Sequence, residues 1–402
     1  MIIAVINCGS SSIKFQIFDM QGDAVIVDGL VEGIGEPQGK VLLSYPRMDD
    51  GEKHEFISEI CDHRSGLEML IDEVTQSAAI PGNAELYCIG HRVVHGGELF
   101  IQPTLIDDEV LAGIRAQAVL APLHNPANLV GIEAAMAASP ETPQVAVFDT
   151  AFHHSIPRQA YLYALPYELY QSYKIRRYGF HGTSHGYVTR TAAEYLNIPL
   201  QRFNAIVFHL GNGASVTAVR GGKSVDTSMG LTPLEGLVMG TRSGDVDPAI
   251  YAYLEANAGM SVGSIDAMLN RESGLKGICD DNDMRRILER AQEGDDLAQL
   301  AFDIFCYRAK KYLGAYFAVL GRVDAVIFTA GIGENSVEVR SEICAGLEGL
   351  GISVDPDRNS KRGSPLEIGS HDSRVKVLVI ATQEELEIAQ QAQQCMAQAE
   401  SV

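Results

Sequence analysis

The feature that most constrains the fold is a strand–turn–strand–turn–strand pattern that occurs twice, about 200 residues apart in a chain of 402. The strand-like runs, rich in β-branched and aromatic residues, are residues 2–6, 13–18 and 24–30 in the first half and residues 205–210, 216–220 and 224–227 in the second. Because the offset is close to half of the chain, we predict a fold-level duplication, with two α/β halves that each open with a hairpin.

The first turn of this pattern carries polar groups suited to binding an anion. Asn7, Gly9, the serines at 10–12 and Lys14 lie together between two strand-like runs. Gly9 permits a positive φ, successive N–H groups can form an anion-binding concavity, and Lys14 adds a point charge. The stretch therefore predicts a phosphate cradle, and an ordinary Ser/Gly hairpin turn is the alternative that this stretch alone leaves open.

Composition excludes several classes of protein. The net charge of −21 argues against a nucleic-acid partner, which would need a basic surface. The seven cysteines are odd in number and show no paired metal-ligand spacing, so we expect reduced thiols. Neither a cleavable signal nor an apolar run of about 20 residues is found, so we expect a cytoplasmic protein that makes no membrane contact.

Periodicity predicts further elements and two lobes. The predicted helices are residues 65–76, 107–118, 127–138, 185–196, 248–256, 262–269, 282–292, 297–320, 335–347 and 384–397. Further strands are predicted at residues 41–45, 86–89, 145–148, 323–328 and 375–380. We expect an N-terminal lobe of residues 1–150 plus the C-terminal helix at about 384–402, and a C-terminal lobe of residues 151–383, around a nucleotide cleft.

Nucleotide binding, if it occurs, must use turns at strand ends. The sequence has no G-x-x-x-x-G-K-[ST] motif, and Gly331-Ile332-Gly333 lacks the third glycine of the dinucleotide fingerprint. Three glycine-containing turns, at residues 7–14, 209–215 and 331–335, each follow a predicted strand. Together they favour a phosphate-binding or nucleotide-binding role.

Charged residues at predicted strand ends are candidates for phosphoryl transfer, which needs cations, a metal-holding acid and groups that orient the acceptor. Arg92 follows the strand at 86–89, and Arg242 lies in a glycine-rich loop. Asp149 ends an apolar strand. The alternatives are surface or ion-paired arginines and a carboxylate that caps a helix or turn.

Histidines and the last helix supply the remaining candidates. His181 and His185 lie in a glycine-flanked loop, and His124 precedes a helix. Each of these alone also fits a structural role. Glu384 begins the last helix, where an acidic residue interacts favourably with the helix dipole. A Mg²⁺ role for Glu384 requires Asn7 to lie nearby.

Long motifs then identify a resemblance that runs the length of the chain. They occupy residues 7–14, 90–97, 121–126, 147–153, 177–185, 209–213, 226–236 and 239–245. On these motifs the chain resembles the acetate/propionate kinase family of short-chain carboxylate kinases. The resemblance implies the actin-like ATPase (ribonuclease H-like) fold, reversible phosphoryl transfer between ATP and acetate or another short carboxylate to give an acyl phosphate and ADP, and a homodimer.

The resemblance also implies residue roles. The catalytic residues would be Asp149, His181 and Arg242. The acceptor would be bound by Arg92, Val94, Leu123, His124, Phe180 and Pro233. Mg²⁺, with Mn²⁺ as an alternative, would be held by Asn7 and Glu384. The nucleotide would be bound by Lys14, His209, Leu210, Gly211, Asn212, Gly213, Asp283, Met284, Arg285, Gly331, Ile332, Gly333, Glu334 and Asn335.

Three positions bear on specificity within this resemblance. Ala330 replaces the usual second residue of Thr-Gly-Gly-Ile-Gly-Glu-Asn, and Gln383 replaces the usual asparagine of Thr-Asn-Glu-Glu. We expect activity to survive both changes because neither removes a functional group. Val94 is branched where propionate kinases tend to carry alanine, so we expect acetate to be preferred and propionate to be tolerated.

Overall fold

The computed structural model describes residues 1–9, 11–47, 53–77, 85–122 and 124–401. Leu123, a predicted acceptor-binding residue, lies outside these residues, as does Ser10 of the first turn. The chain divides into two compact units, Met1–Ala151 with Gln383–Val402, and Phe152–Thr382.

The strands are numbered here in chain order. They are β1 Ile2–Cys8, β2 Ser12–Asp19, β3 Ala24–Glu32, β4 Gly39–Ser44, β5 Lys53–Ser58, β6 Leu86–Val93, β7 Thr104–Leu105, β8 Gln144–Phe148, β9 Asn204–Leu210, β10 Ala214–Arg220, β11 Lys223–Thr227, β12 Ala325–Thr329, β13 Leu366–Glu367 and β14 Lys376–Val379.

The α-helices are numbered in the same way. They are α1 His63–Gln76, α2 Asp108–Ala116, α3 Asn125–Ala138, α4 Arg158–Tyr161, α5 Tyr167–Tyr173, α6 Gly182–Tyr195, α7 Ala249–Ala258, α8 Val262–Arg271, α9 Gly274–Cys279, α10 Met284–Gln292, α11 Asp296–Leu320, α12 Ala330–Asn335, α13 Val337–Cys344, α14 Pro356–Asn359 and α15 Glu384–Ala399. Short 3₁₀ turns occur at Gln117–Val119, Ala151–Ser155, Leu200–Arg202 and Glu348–Leu350.

Each unit contains one mixed sheet, and the two sheets share a topology. The first sheet has the order β5-β4-β3-β2-β1-β6-β8-β7, and the second has the order β11-β10-β9-β12-β14-β13. In both, an antiparallel meander of three strands leads into two parallel neighbours and ends in a short antiparallel strand. The second sheet thus repeats the last six strands of the first in the same order. This confirms the predicted duplicated α/β fold, and β4 and β5 are additions to the first copy.

Three local predictions are corrected by the structure. Strand β6 continues to Val93, so Arg92 lies within the strand and not after it. Residues 331–335 form the short helix α12 and not an open glycine-rich turn. His185 lies in the first turns of α6 and not in a loop. In the first turn, the Gly9 N–H donates to the Ser12 carbonyl at 2.8 Å, and phosphate binding by this turn stays a prediction.

The core of the first unit lies on both faces of its sheet. On one face, strand residues such as Ile17 and Val31 pack with Leu67 and Leu70 of α1. Another cluster joins strands and α3, and in it the Phe100 and Phe148 rings stack at 4.8 Å between centroids. Helix α15 covers β6 so closely that a Cβ on Gly90 would lie 2.9 Å from Ile388 Cγ2, so only glycine fits there.

The core of the second unit is built on its central parallel strands. Strands β9 and β12 are buried along their whole length. Val207, Ile327 and Leu378 of neighbouring strands pack with Val188 of α6. Parallel strands buried on both faces give the continuous apolar runs from which they were predicted. Among the described residues, no helix combines the length and the apolar character that crossing a membrane requires.

Candidate active site

In the first unit, three predicted site residues meet at the carboxyl ends of neighbouring strands. Asn7 lies near the end of β1, Arg92 near the end of β6, and Asp149 directly after β8. Arg92 donates through Nε and Nη2 to Asp149 Oδ2 at 2.9 and 2.5 Å, and through Nη1 to Asn7 Oδ1 at 3.2 Å. Open α/β sheets characteristically bind ligands at this edge.

The Arg92–Asp149 pair is a buried charge pair. The Asp149 side chain is fully buried and that of Arg92 is 21% exposed. Burial opposes the charge on the guanidinium, but the carboxylates around it outweigh that effect and raise the pKa of Arg92. Burying such a pair stabilises a fold little, and removing one partner is costly.

Glu384 begins α15 beside this pair, and its electrostatic surroundings are unusual for a carboxylate. Burial raises the pKa of Glu384 to about 7, Arg92 lowers it, and Asp149 and Glu385 raise it. A cation close to this carboxyl group would favour its charged form and so lower its pKa. Lys14, which was predicted to contact phosphate, is 62% exposed and lies 3.9 Å from Glu385.

Buried amide side chains hold the segment that carries Val94. The Val94 N–H donates to Asn128 Oδ1 at 3.0 Å, and Asn128 Nδ2 donates to the Cys8 carbonyl at 2.8 Å. The Val94 side chain is itself buried. His124 is the N-cap residue of α3 and is partly buried. Asn128 therefore ties the Val94 segment to the end of β1.

In the second unit, His181 lies at the turn between β9 and β10. It is the residue before α6 and has a left-handed backbone, with φ of 55°. Its ring stacks on that of His209 at 4.1 Å between centroids. A Cβ on Gly213 would lie 3.5 Å from His181 Nε2 and 3.7 Å from Arg242 Nη1. The structure thus brings His181, Arg242 and the β9–β10 turn together.

Arg242 lies in an irregular segment between β11 and α7. Its Nη1 donates to the Pro233 carbonyl at 3.3 Å. Burial lowers the pKa of Arg242. The neighbouring Gly240 donates its N–H to the Asn212 carbonyl at 2.9 Å, and a Cβ there would lie 1.9 Å from Asn212 Oδ1. Only glycine allows this close approach of the Arg242 segment to the β9–β10 turn.

A cavity of about 840 Å³ in the second unit gathers most of the predicted nucleotide residues. Its lining includes Gly211, Asn212, Asp283, Met284, Arg285, Gly331, Ile332 and Asn335, and it also includes Arg286, Glu338 and Arg362. The volume falls within the range of ligand pockets in proteins. Asp283 caps α10 and holds Arg285 at 2.6 Å, which lowers the Asp283 pKa to about 2.

The other predicted nucleotide residues of this region lie beside the cavity. Leu210 is fully buried at the end of β9, and Gly333 packs against it. The Glu334 carboxylate accepts hydrogen bonds from the Ala330 N–H at 2.9 Å and the Thr382 N–H at 3.2 Å. These bonds hold the start of α12, where Ala330 has a φ of 64°.

Sequence reasoning missed a partly buried polar cluster that holds the Arg242 segment. Arg177 Nη1 donates to the carbonyls of Thr227, Ser228 and Met229, and its Nη2 donates to Glu235 Oε1 at 2.6 Å. Tyr163 donates to the other Glu235 oxygen and accepts from the Leu231 N–H. The available signal was the presence of two charged residues inside otherwise small and apolar motifs.

Comparison with known proteins gives one consistent result. Residues 2–390 match the sequence model of the Acetokinase family. An acetate kinase of Streptomyces avermitilis is 54% identical over 390 residues, covering 97% of this chain and 96% of the relative. An acetate kinase of Helicobacter acinonychis is 51% identical, covering 98% and 99%. A solved propionate kinase of Francisella tularensis is 47% identical with a TM-score of 0.91, covering 97% and 98%.

Proposed function

This chain belongs to the Acetokinase family and is a phosphotransferase, and from this premise we propose that it transfers the γ-phosphoryl group of ATP reversibly to acetate. A carboxylate oxygen of acetate would form a bond to the γ-phosphorus while the bond from that phosphorus to the ADP oxygen breaks. The products are acetyl phosphate and ADP. The observation that carries the proposal is that each unit gathers cationic and hydrogen-bonding groups, Arg92 with Asp149 in the first and Arg242 with His181 in the second, in a chain that matches this family over residues 2–390.

A proposed role is given to the groups of each unit by itself. In the first unit, Arg92 would bind the acceptor carboxylate, and its contacts with Asp149 and Asn7 fix its orientation. In the second unit, His181 and Arg242 would stabilise negative charge on the transferring phosphoryl group. Because the transition state of phosphoryl transfer spreads charge over the equatorial oxygens, fixed donors are the main source of catalysis.

The nucleotide would occupy the cavity bordered by α10 and α12. Backbone N–H groups of the turn from Gly211 to Gly213 would contact its phosphates, as glycine-rich turns do elsewhere. The Gly211 N–H is not one of these donors, because it donates to the Gly213 carbonyl at 3.0 Å. Asp283, Met284 and Arg285 line the same cavity and would contact adenosine.

The donor set also fits Mg²⁺. Among the described residues, no cluster of three or more His, Cys, Asp or Glu could hold a metal ion. Mg²⁺ needs no such cluster, since it commonly uses one or two protein oxygens together with water and substrate phosphates. Asn7 and Glu384 would supply these oxygens. When bound, Mg²⁺ would neutralise phosphate charge.

The test is a hydroxamate assay of acyl phosphate formed from ATP and Mg²⁺ with acetate, propionate or butyrate. We expect kcat/KM to be about 10-fold or more higher for acetate than for propionate, because one methylene in a pocket changes binding by about 1–3 kcal/mol. A higher kcat/KM for propionate would instead make this a propionate kinase. That is the second candidate function, because the Francisella tularensis relative is a propionate kinase. Absence of acyl phosphate with all three acids would exclude the proposed function.

Two variants test the residue roles. Val94→Ala should shift the acetate-to-propionate ratio toward propionate, and an unchanged ratio would contradict its place in the acceptor pocket. Arg242→Ala should lower kcat by about 100-fold or more, as the loss of one charge-stabilising donor does in other enzymes. Arg158→Ala, which removes an exposed arginine of the same unit, is the control and should leave kcat unchanged.

A further inference from the structure

A buried serine hydroxyl links two histidines behind the β9–β10 turn. Ser215 on β10 is fully buried, and its Oγ lies 2.9 Å from His181 Nδ1 and 2.8 Å from His185 Nε2. A hydroxyl group carries one proton, so it can donate to one of these rings and accept from the other. The direction of these two hydrogen bonds determines which nitrogen of His181 carries a proton.

The His185 ring indicates the direction. His185 is fully buried in α6, and its Nδ1 has no hydrogen-bond partner among the described residues. Burial lowers the pKa of His185 well below its ordinary value, so the ring is neutral. Buried N–H groups without a partner are rarer in proteins than buried acceptors without one. The His185 proton therefore belongs on Nε2, where it can donate to Ser215 Oγ.

We propose that His185 and Ser215 form a relay that fixes His181 as the neutral tautomer with its proton on Nε2. His185 Nε2–H donates to Ser215 Oγ, and the Ser215 hydroxyl donates to His181 Nδ1. Because Nδ1 of His181 accepts this bond, its own ring proton lies on Nε2. Ser215 and His185 are thus positioning residues, which act on the reaction only through His181.

At the β9–β10 turn, this tautomer would let His181 donate a hydrogen bond to a phosphate. This consequence rests on the proposed function. His181 Nε2 faces Gly213, whose added Cβ would lie 3.5 Å from that nitrogen. A proton on Nε2 makes this edge of the ring a donor toward a phosphate at the turn, whereas the other tautomer would present a lone pair to an anion.

The tautomer of His181 is tested without any assay of activity. Histidine tautomers are distinguished by the ¹⁵N chemical shifts of ring nitrogens in protein labelled with [¹⁵N]histidine. The signal of His181 is assigned by its loss in His181→Asn. In the full-length protein without ligands we expect His181 to carry its proton on Nε2 and to be unprotonated at Nδ1. A wild-type spectrum with the proton on Nδ1 of His181 would overturn the relay, whatever the substrate proves to be.

Variants then test cause. Ser215→Ala should produce a detectable Nδ1-protonated population and lower kcat by about 10-fold or more, with KM for ATP within about 2-fold, because a hydrogen bond is lost that selects the tautomer. Ser224→Ala is the matched control, since Ser224 is equally buried and bonds His153 Nδ1 at 2.9 Å. It should leave the His181 spectrum unchanged.

A rescue pair separates tautomer selection from packing. His185→Gln keeps an N–H donor toward Ser215, so it should preserve the Nε2 proton of His181, whereas His185→Leu should not. Equal spectra of His181 in wild type, Ser215→Ala and His185→Leu would refute the relay. If wild-type protein shows the expected tautomer but forms no acyl phosphate, the proposed function fails and the relay stands.

Discussion

His91 on β6 is a buried imidazole whose protonation opposes folding. It is 2% exposed, and its Nε2 lies 2.7 Å from Gln144 Oε1. Burial lowers its pKa from the ordinary 6.5 to about 4, although the bond to Gln144 raises it slightly. Between pH 4 and pH 6.5 the unfolded chain therefore binds a proton that the native protein does not bind, so native stability rises with pH across this window.

We predict that His91→Gln flattens part of this pH dependence. One pKa unit corresponds to about 1.4 kcal/mol, so acidification toward pH 4 should cost the wild type about 3 kcal/mol through His91 alone. Glutamine does not titrate, so the free energy of unfolding of the His91→Gln variant should fall less over the same pH window. Urea unfolding from pH 4.5 to pH 7 measures both slopes. His371→Gln is the control, since the His371 side chain is 98% exposed; slopes that remain equal in wild type and His91→Gln would contradict the prediction.

Ala330 is a residue whose backbone conformation favours glycine. Its φ is 64°, and this conformation costs roughly 1–2 kcal/mol for a residue with a Cβ. We predict that Ala330→Gly changes stability by about 0 to +1 kcal/mol, because the relieved strain exceeds or balances the added entropy of the unfolded chain. Ala252→Gly in the exposed part of α7 should instead cost about 1 kcal/mol. Thermal unfolding of both variants gives the comparison, and equal losses would show that Ala330 is not strained.

At the scale of elements, the strands of the two meanders were predictable because hydrophobic patterning and glycine turns mark them locally. Strand β5 was missed because its sequence, Lys53–Ser58, is polar and largely exposed. The polar triplet Gly90-His91-Arg92 hid the end of β6, since its partners Gln144 and Asp149 are more than 50 residues away. Which side chains meet depends on such distant contacts, and a pattern within one segment cannot supply them.

The position of the segment that carries Arg242 also depends on contacts that are distant in sequence, those of Arg177. Arg177 binds three successive carbonyls and Glu235 at once, which requires the planar fork of a guanidinium. Lysine keeps the charge but cannot make all of these bonds. We therefore predict that Arg177→Lys displaces the segment and lowers kcat/KM by about 10- to 100-fold, as small misplacements of catalytic groups do.

Steady-state kinetics and thermal unfolding, measured side by side, test this prediction. Arg322→Lys is the matched control, because Arg322 is 61% exposed and also binds one carbonyl, that of Arg202, at 2.6 Å. It should retain wild-type kcat/KM. Retention of full activity in folded Arg177→Lys would show that the guanidinium fork does not position the Arg242 segment.

At the scale of the whole molecule, the chain folds its two ends into one unit. Residues Gln383–Val402 belong with Met1–Ala151, although 231 residues lie between them. Helix α15 packs on β1 and β6, and it buries Leu386, Ile388 and Ala392. The first unit is therefore complete only when the last segment of the chain is in place, which makes its stability sensitive to a helix that is remote in sequence.

We predict that a destabilising substitution in α15 affects the first unit and not the second. Ile388 is fully buried against Gly90 of β6, and Ile388→Ala should destabilise the first unit by about 2–5 kcal/mol. Hydrogen exchange should then accelerate in β1, β2 and β6 while β9 and β12 keep their protection. Ile343→Ala, at an equally buried site in α13, is the mirror control and should accelerate exchange in the second unit instead. If both variants accelerate exchange equally in all of these strands, the two units unfold as one, and the division of the chain into separately stabilised cores is wrong.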